Sequence, residues 1–447
     1  MGRQLFGTDG VRGVAGEYPL DPKTTYALGM AFGRWAAKHH PEPQVMIGMD
    51  TRESSTWIAR QVAGGLKAGG VEPKFAGLIT TPGVAYLTRS RDFVAGVMIS
   101  ASHNPYQDNG IKVFDHSGFK LPDTAEHALE TQLFAILEGG VNPVPADLNV
   151  DEGLDEAYLT YLVSTVRSRF DNLKLVVDCA NGAASELAKP LFERLGATIY
   201  PTHCLPDGRN INLNCGALHV ENLRDEVLAR NADAGVAFDG DADRCILMSK
   251  SGRTIDGDAI LLILGEHWKG QGKLKQDMVV ATVMSNLGLE RALERRGITM
   301  LRTGVGDKYV LEEMIRRDAA IGGEQSGHVI FRDYATTGDG LLTALQLLEI
   351  CCSSGQDLDQ LAADLQVFPQ VLVNVRVKQR KPLSDLPAVQ QEIRLAEEQF
   401  GDKGRVLVRF SGTEPLARVM VEGLELDHVK GVAERIAGVI RTELGGS

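Results

Sequence analysis

Three stretches of this chain run through the same succession of apolar strand, polar turn, helix and second strand, which confines the fold to a series of similar α/β units. They are VMIGMDTRESSTWIARQVAGGLKAGGVEP from Val45, LKLVVDCANGAASELAKPLFERLGATIYP from Leu173 and DMVVATVMSNLGLERALERRGITML from Asp277. Each helical pattern ends at a glycine (Gly70, Gly196, Gly297), where a helix commonly stops. Downstream of each lies another apolar strand that runs into a polar loop and returns: FVAGVMIS into ASHNPYQDNG, AGVAF into DGDADR, AAIGG into EQSGH. Strands alternating with helices predict α/β domains with mixed sheets and ligand loops at the carboxyl ends of strands. Equivalent loops in three like domains are placed to meet in one central cleft.

After about residue 366 the pattern changes to a strand (VLVNVRV), a helix, the strand pair RVLVRF and ARVMVEG, and a last helix, which reads as a smaller α+β domain. Domains are expected at 1–152, 153–252, 253–366 and 367–447, in keeping with a length of 447 residues that exceeds what one core organises. A formal net charge of −12 without any long Lys/Arg run argues against nucleic-acid or membrane-surface partners, so an anionic substrate needs a locally basic cleft. Six cysteines without metal-knuckle spacing fit reduced thiols in a cytoplasm. The start MGRQLFGTDG has no basic segment followed by an apolar one, and no apolar stretch is long enough for a bilayer, which predicts a cytosolic protein.

Chemistry gathers in the polar loops. Ser100-Ala101-Ser102-His103-Asn104-Pro105 follows a strand directly, so a serine there can present a nucleophilic hydroxyl. A bare Ser-x-Ser before proline is an ordinary turn, but no turn requirement explains the whole string SASHNPYQDNGIK. Asp239, Asp241 and Asp243 alternate in DGDADR and can direct their carboxylates around a hard cation. A calcium EF-hand loop is the competitor. It requires glycine where Arg244 stands and a bidentate glutamate where Lys250 stands, so it fails twice. Three carboxylates leave coordination positions open, which suits Mg2+ bridging to a phosphate.

In GEQSGH, Glu324, Ser326 and His328 alternate and offer an acceptor, a hydroxyl and an imidazole to a sugar, although alone they read as surface groups. RVLVRFSGTEP sets Arg409, Ser411, Gly412 and Thr413 in a strand-to-turn loop whose backbone N–H groups, hydroxyls and guanidinium can cradle phosphate. A hairpin with a flanking arginine is the plain alternative. No Walker P-loop string occurs in the chain.

Together SASHNP, DGDADR, GEQSGH and SGTEP resemble the α-D-phosphohexomutase family across essentially the full chain. That resemblance implies the four-domain architecture of the family, a phosphoserine at Ser102, one Mg2+ per subunit held by Asp239, Asp241 and Asp243 with Ser102, a sugar loop at Glu324 and Ser326, and a substrate-phosphate loop at Arg409, Ser411, Gly412 and Thr413. It also implies that Arg12, His103, Lys112, Arg244 and Lys308 line the cleft. Lys308 falls where many relatives have arginine, which keeps charge but loses a forked donor. FGTDGVRG, GEQSGH and TGVGDKYV are most similar to the branch acting on glucosamine phosphates; mannose- and glucose-phosphate branches more often differ at the position of Gln325.

The implied reaction interconverts glucosamine 6-phosphate and glucosamine 1-phosphate through a bisphosphorylated sugar, towards UDP-N-acetylglucosamine and cell-wall precursors. Lys112 and His328 are the candidate general bases. A sugar bisphosphate or a kinase is the expected activator of Ser102, and a homodimer is compatible with this picture. The rivals are the same mechanism on mannose or glucose phosphates, a phosphatase in which water captures the phosphoryl group, and a non-catalytic phosphosugar sensor.

Overall fold

The structure is a computed structural model that describes residues 5–7, 9–38, 42–379, 381–410 and 415–445. Thr8 of the opening motif and Ser411, Gly412 and Thr413 of the phosphate loop lie outside the described residues.

Each of the three repeats builds the same four-strand order. In the first sheet the strands lie side by side as Phe6–Gly7, Gly10–Val14, Asp108–Asp115, Ala95–Ile99, Gln44–Met49 and Glu72–Leu78. In the second the order is Thr254–Ile255, Cys245–Ser249, Ala234–Phe238, Lys174–Asp178 and Thr198–Thr202. In the third it is Thr299–Thr303, Met278–Thr282, Ile321–Gly323 and Val329–Phe331. The opening strand of each repeat pairs in parallel with the strand that enters the polar loop, and that strand pairs antiparallel with the one that leaves it. The sheets are therefore mixed, and every polar loop is a hairpin at the carboxyl end of a parallel strand.

The repeat also extends to hydrogen bonds. At the end of the opening strand, Asp50, Asp178 and Thr282 each accept with the side chain the N–H two residues on, from Arg52 (3.1 Å), Ala180 (2.9 Å) and Met284 (3.2 Å). This local bond turns the chain out of the strand towards the helix. The glycines that stop the three helices, Gly70, Gly196 and Gly297, all adopt positive φ.

Two compact units emerge from the packing, Met1–Met284 with Met300–Ala363, and Ser285–Thr299 with Asp364–Ser447. The helix Leu287–Arg295 of the third repeat thus belongs to the second unit. In that unit the strands Gln370–Arg376, Leu416–Gly423 and Gly404–Phe410 form an antiparallel sheet, and helices Pro387–Phe400 and Leu426–Leu444 cover a core that includes Val375, Val419, Val421, Val432, Ile436 and Ile440. Among the described residues no helix is long and apolar enough to cross a membrane.

In the first unit, helices Pro22–Ala36 and Ser55–Ala68 cross at glycines. A Cβ on Gly29 would stand 2.3 Å from the Val62 carbonyl oxygen, and one on Gly65 would stand 2.2 Å from that of Tyr26. Backbone meets backbone there, which sets the depth at which the second helix, and the Asp50–Ser54 turn before it, lies on the sheet. Gly65→Ala should therefore destabilise the protein by about 1–3 kcal/mol through overpacking, although alanine is the better helix former by about 0.5–1 kcal/mol. An unchanged urea unfolding midpoint would show that the helices separate freely.

Candidate active site

The hairpin loops of the three repeats converge within the first unit. A Cβ on Gly240 would lie 2.5 Å from the Ser102 carbonyl oxygen, so the acidic loop runs directly against the serine loop. Thr81 N–H donates to the Asp241 carbonyl (3.0 Å), Cys245 N–H to that of Gly327 (3.0 Å) and Gly257 N–H to that of Gln325 (3.0 Å). The third loop is thereby stitched to the second.

Ser102 is buried and its Oγ donates to Asp239 Oδ2 at 2.6 Å, with His103 Nδ1 at 3.3 Å. Asp239, Asp241 and Asp243 are all buried, and a carboxylate oxygen of each lies within 4.8 Å of the others. Lys112, on the strand that leaves the serine loop, is 1% exposed and sets its Nζ 2.8 Å from Asp241, 3.3 Å from Asp243 and 3.0 Å from Asp9. Asp9 also pairs with Arg12 and Lys120, and Lys120 in turn pairs with Asp307, whose carboxylate is 3.9 Å from His328 Nε2.

Burial and the repulsion of Asp243 and Asp241 push the Asp239 carboxyl well above its usual range. Burial also opposes the ionisation of Asp241, but Lys112 overrides it and holds that carboxyl low. Asp9 is treated likewise: burial raises it, and Lys112, Lys120 and Arg12 bring it well below the ordinary carboxylate value. Burial, together with Arg244 and Arg12, lowers the His103 imidazole to about 4, so the ring is neutral at pH 7.

Two clusters among the described residues have donors spaced for a metal ion, and their hydrogen bonding separates them. In the group of Asp178, His203 and Cys215, the carboxylate is already satisfied by Ala180 N–H (2.9 Å), Gly216 N–H (3.0 Å) and His203 Nδ1 (3.0 Å). In the other, Asp241 Oδ1 and Asp243 Oδ1 are buried with no hydrogen-bond partner. Orphaned buried carboxylate oxygens in an all-oxygen donor set fit a hard divalent cation. Buried Nε atoms of Arg12 and Arg244 also lack partners, which leaves donors for an anion beside them.

Glu324 and Ser326 line a cavity of about 480 Å3 together with Arg244, Thr254 and Asp256. Gly306 N–H donates to Glu324 Oε1 at 3.0 Å, which fixes the carboxylate. His328 is buried, with Gly338 so close to its ring that a Cβ there would lie 2.6 Å away. Lys308 is instead paired with Asp123 and stands 4.0 Å from Glu312. In the second unit, Arg409 lies opposite Arg418 across the hairpin, and burial and that like charge lower its pKa. Asp9, Lys120, Asp307 and Arg418 are absent from the sequence-based set. Asp9 lies inside FGTDGVRG and Asp307 inside TGVGDKYV, so those motifs held the signal; Lys120 and Arg418 sit in segments without a motif.

Known proteins share the four-part fold. Profiles described as "Phosphoglucomutase/phosphomannomutase" match the chain in four parts: alpha/beta/alpha domain I over residues 3–139, domain II over 156–252, domain III over 256–368 and the C-terminal domain over 372–439. A phosphoglucosamine mutase of Solibacter usitatus is 60% identical over 445 residues, covering 100% of both chains. One from Koribacter versatilis is 51% identical over 99% of this chain and 98% of its own. Among solved structures, a phosphoglucomutase/phosphomannomutase family protein of Burkholderia thailandensis superposes with a TM-score of 0.80 at 23% identity, covering 97% of each chain.

Relief of carboxylate repulsion makes cation binding a stability effect. A divalent cation at 100 times its dissociation constant should stabilise the protein by about 2.7 kcal/mol, seen as a higher thermal midpoint, and Asp241→Asn with Asp243→Asn should remove most of that rise. A midpoint indifferent to Mg2+ would show that the cluster binds no such ion.

Proposed function

The chain belongs to the phosphoglucomutase/phosphomannomutase family, and we propose that it works as a phosphoglucosamine mutase, interconverting glucosamine 6-phosphate and glucosamine 1-phosphate. Full-length relatives of that activity at 60% and 51% identity support the choice of sugar. The chemistry rests on one observation, the buried Ser102 hydroxyl 2.6 Å from a carboxylate of the Asp239, Asp241 and Asp243 cluster.

Asp239, Asp241 and Asp243, with an oxygen on Ser102, would hold Mg2+, for which the orphaned oxygens of Asp241 and Asp243 speak. When bound, that ion supplies charge neutralisation to the phosphoryl group in flight. Phospho-Ser102 donates its phosphoryl group to the free hydroxyl of the bound sugar phosphate. The bond from Ser102 Oγ to phosphorus breaks, the bond from the sugar oxygen forms, and the hydroxyl proton passes to a base. Of the two candidates for that base, Lys112 is held as an ammonium by Asp9, Asp241 and Asp243 and has no lone pair to offer, which favours His328, whose buried Nδ1 has no hydrogen-bond partner. The bisphosphorylated sugar then turns over and returns its other phosphoryl group to Ser102.

Glu324 and Ser326 suit the sugar hydroxyls, since they line the cavity beside Arg244. Arg12 and Arg244 each have a spare Nε–H for phosphate oxygens, and His103, 3.3 Å from Ser102 Oγ, flanks the reacting group. Arg409, with Ser411, Gly412 and Thr413, takes the phosphate that is not transferred. Lys308 reaches substrate only if its pair with Asp123 opens. A sugar bisphosphate or a kinase primes Ser102, and the product feeds UDP-N-acetylglucosamine and cell-wall precursor synthesis. All six cysteines are free, which accords with the reducing cytoplasm.

Three measurements check this reading. Intact-mass spectrometry should find one phosphoryl group on the Ser102 peptide, and Ser102→Ala should abolish turnover; a phosphoryl group mapped elsewhere would sink the mechanism. The kcat/KM for glucosamine 6-phosphate should exceed those for glucose and mannose 6-phosphates by at least about 10-fold. A reversed order would assign the chain to a phosphomannomutase or phosphoglucomutase, and free phosphate released in step with turnover would make it a phosphatase. Arg409→Ala should weaken catalysis about 10- to 100-fold through a lost charge-assisted bond to phosphate. Unchanged KM and kcat in both directions would reduce that loop to a turn.

A further inference from the structure

Ser102 holds φ +52, a left-handed conformation that a serine adopts only where its surroundings impose it. What imposes it lies beneath the loop, in the turn that follows the first repeat's opening strand. The Arg52 side chain is 0% exposed, and each of its five N–H donors has an acceptor. Nε donates to Asp50 Oδ2 at 2.8 Å. Nη2 donates to the carbonyls of Ser102 and Asn104, both at 2.9 Å, and Nη1 to those of Asp108 (3.0 Å) and Pro105.

Asp50 completes the frame from the other side. Its Oδ2 also accepts from Ser100 Oγ at 2.7 Å, and Ser100 Oγ in turn accepts the Ser102 N–H at 2.9 Å. Its Oδ1 accepts from Ser55 Oγ at 2.7 Å, so the frame is anchored to the helix Ser55–Ala68. The backbone N–H of Ser102 is therefore fixed through Ser100 and Asp50, and its C=O directly by Arg52. Asn212 adds a second donor to the same carbonyl at 2.9 Å.

We infer that Arg52, with Asp50 and Ser100, is the positioning device of the phosphoryl-carrying serine: it fixes the Ser102 backbone so that only the side chain and its phosphoryl group have freedom. This rests on the phosphotransfer reading above. It also gives Ser100 a distinct part, as the hydroxyl that passes the orientation of Asp50 to the Ser102 amide. Lysine cannot substitute, because an ammonium has three donors and no planar fork to span carbonyls on both sides of the turn.

The test uses the full chain. Arg52→Lys should lower kcat about 100-fold, as a misplacement of about 1 Å does, while KM for glucosamine 6-phosphate moves less than about threefold. Phosphorylation of Ser102 by glucose 1,6-bisphosphate, followed by intact mass, should slow in parallel, with circular dichroism unchanged. Ser100→Ala should lower kcat about 10-fold, and the double variant should fall short of the product of the two losses, because Ser100 and Arg52 are joined at Asp50. A folded Arg52→Lys with near-normal kcat, a loss confined to KM, or a double variant with the full product of the two losses would overturn the inference. Should Arg52→Lys fail to fold, Ser100→Ala decides: normal kcat overturns the inference, and a kcat loss at constant KM upholds it. Wild type that takes no phosphoryl group onto Ser102 would overturn the phosphotransfer reading and this inference with it, whereas phosphorylated wild type beside an unimpaired Arg52→Lys overturns only the positioning role.

Discussion

A single buried ammonium holds the centre of the first unit together. Lys112 projects from the first sheet to Asp241 and Asp243 of the second repeat and to Asp9 of the N-terminal segment, and almost none of it meets solvent. Removing one partner of a buried ion pair leaves the other uncompensated, which typically costs about 3–5 kcal/mol. Burial alone would discharge Lys112, yet the three carboxylates raise its pKa well above the ordinary lysine value. The docking of two repeats and the electrostatics of the site are thus one interaction. Lys120 extends it to the third repeat through Asp307.

The repeats explain why those charges arrive at one place. Each four-strand unit delivers a hairpin at the same end of its sheet, and each has its own turn at the end of the opening strand, closed by Asp50, Asp178 or Thr282. The same backbone has been put to different uses. In the first repeat the turn carries Arg52 under the serine loop, in the second Asp178 satisfies local N–H groups and His203, and in the third a hydroxyl suffices. Differences in function therefore lie in side chains borne on a shared frame.

Much of this was legible in the sequence because it is local. Strand, helix and hairpin follow from apolar periodicity and glycine stops within about 30 residues of each other, and the loops with Ser102, Asp239 and Glu324 are contiguous strings. The repeats' hairpin loops do meet, as their equivalence led one to expect. Long-range partners left no such trace. Nothing near Lys120 points to Asp307, 187 residues away, and nothing in the turn after Met49 marks Arg52, whose donors are taken by the carbonyls of Ser102 and Asp108. Lys308, read as a cleft residue, is occupied by Asp123, a contact set by how a helix docks rather than by any motif. The grouping of Leu287–Arg295 with the C-terminal unit is likewise a matter of packing that periodicity does not encode.

Charge balance around Ser102 then limits what the serine can carry. Four carboxylates, Asp9, Asp239, Asp241 and Asp243, face the three cations Arg12, Lys112 and Arg244, while Lys120 is shared with Asp307. The site holds an excess of negative charge before any phosphoryl group arrives, and Asp239 shows it in a carboxyl pushed well above its normal range by burial and its neighbours. A phosphoserine would add about −1.5 to −2 charges at pH 7. Arg12 and Arg244 keep spare Nε–H donors, but Lys112 is already committed to three carboxylates and Arg12 to Asp9, so the protein's own cations balance only part of that charge. A phosphoserine there would be favoured by a cation at the oxygens of Asp241 and Asp243 that no hydrogen bond satisfies. On the proposed mechanism, phosphorylation of Ser102 and cation binding at the acidic loop would favour one another, because each offsets charge that the other leaves unbalanced.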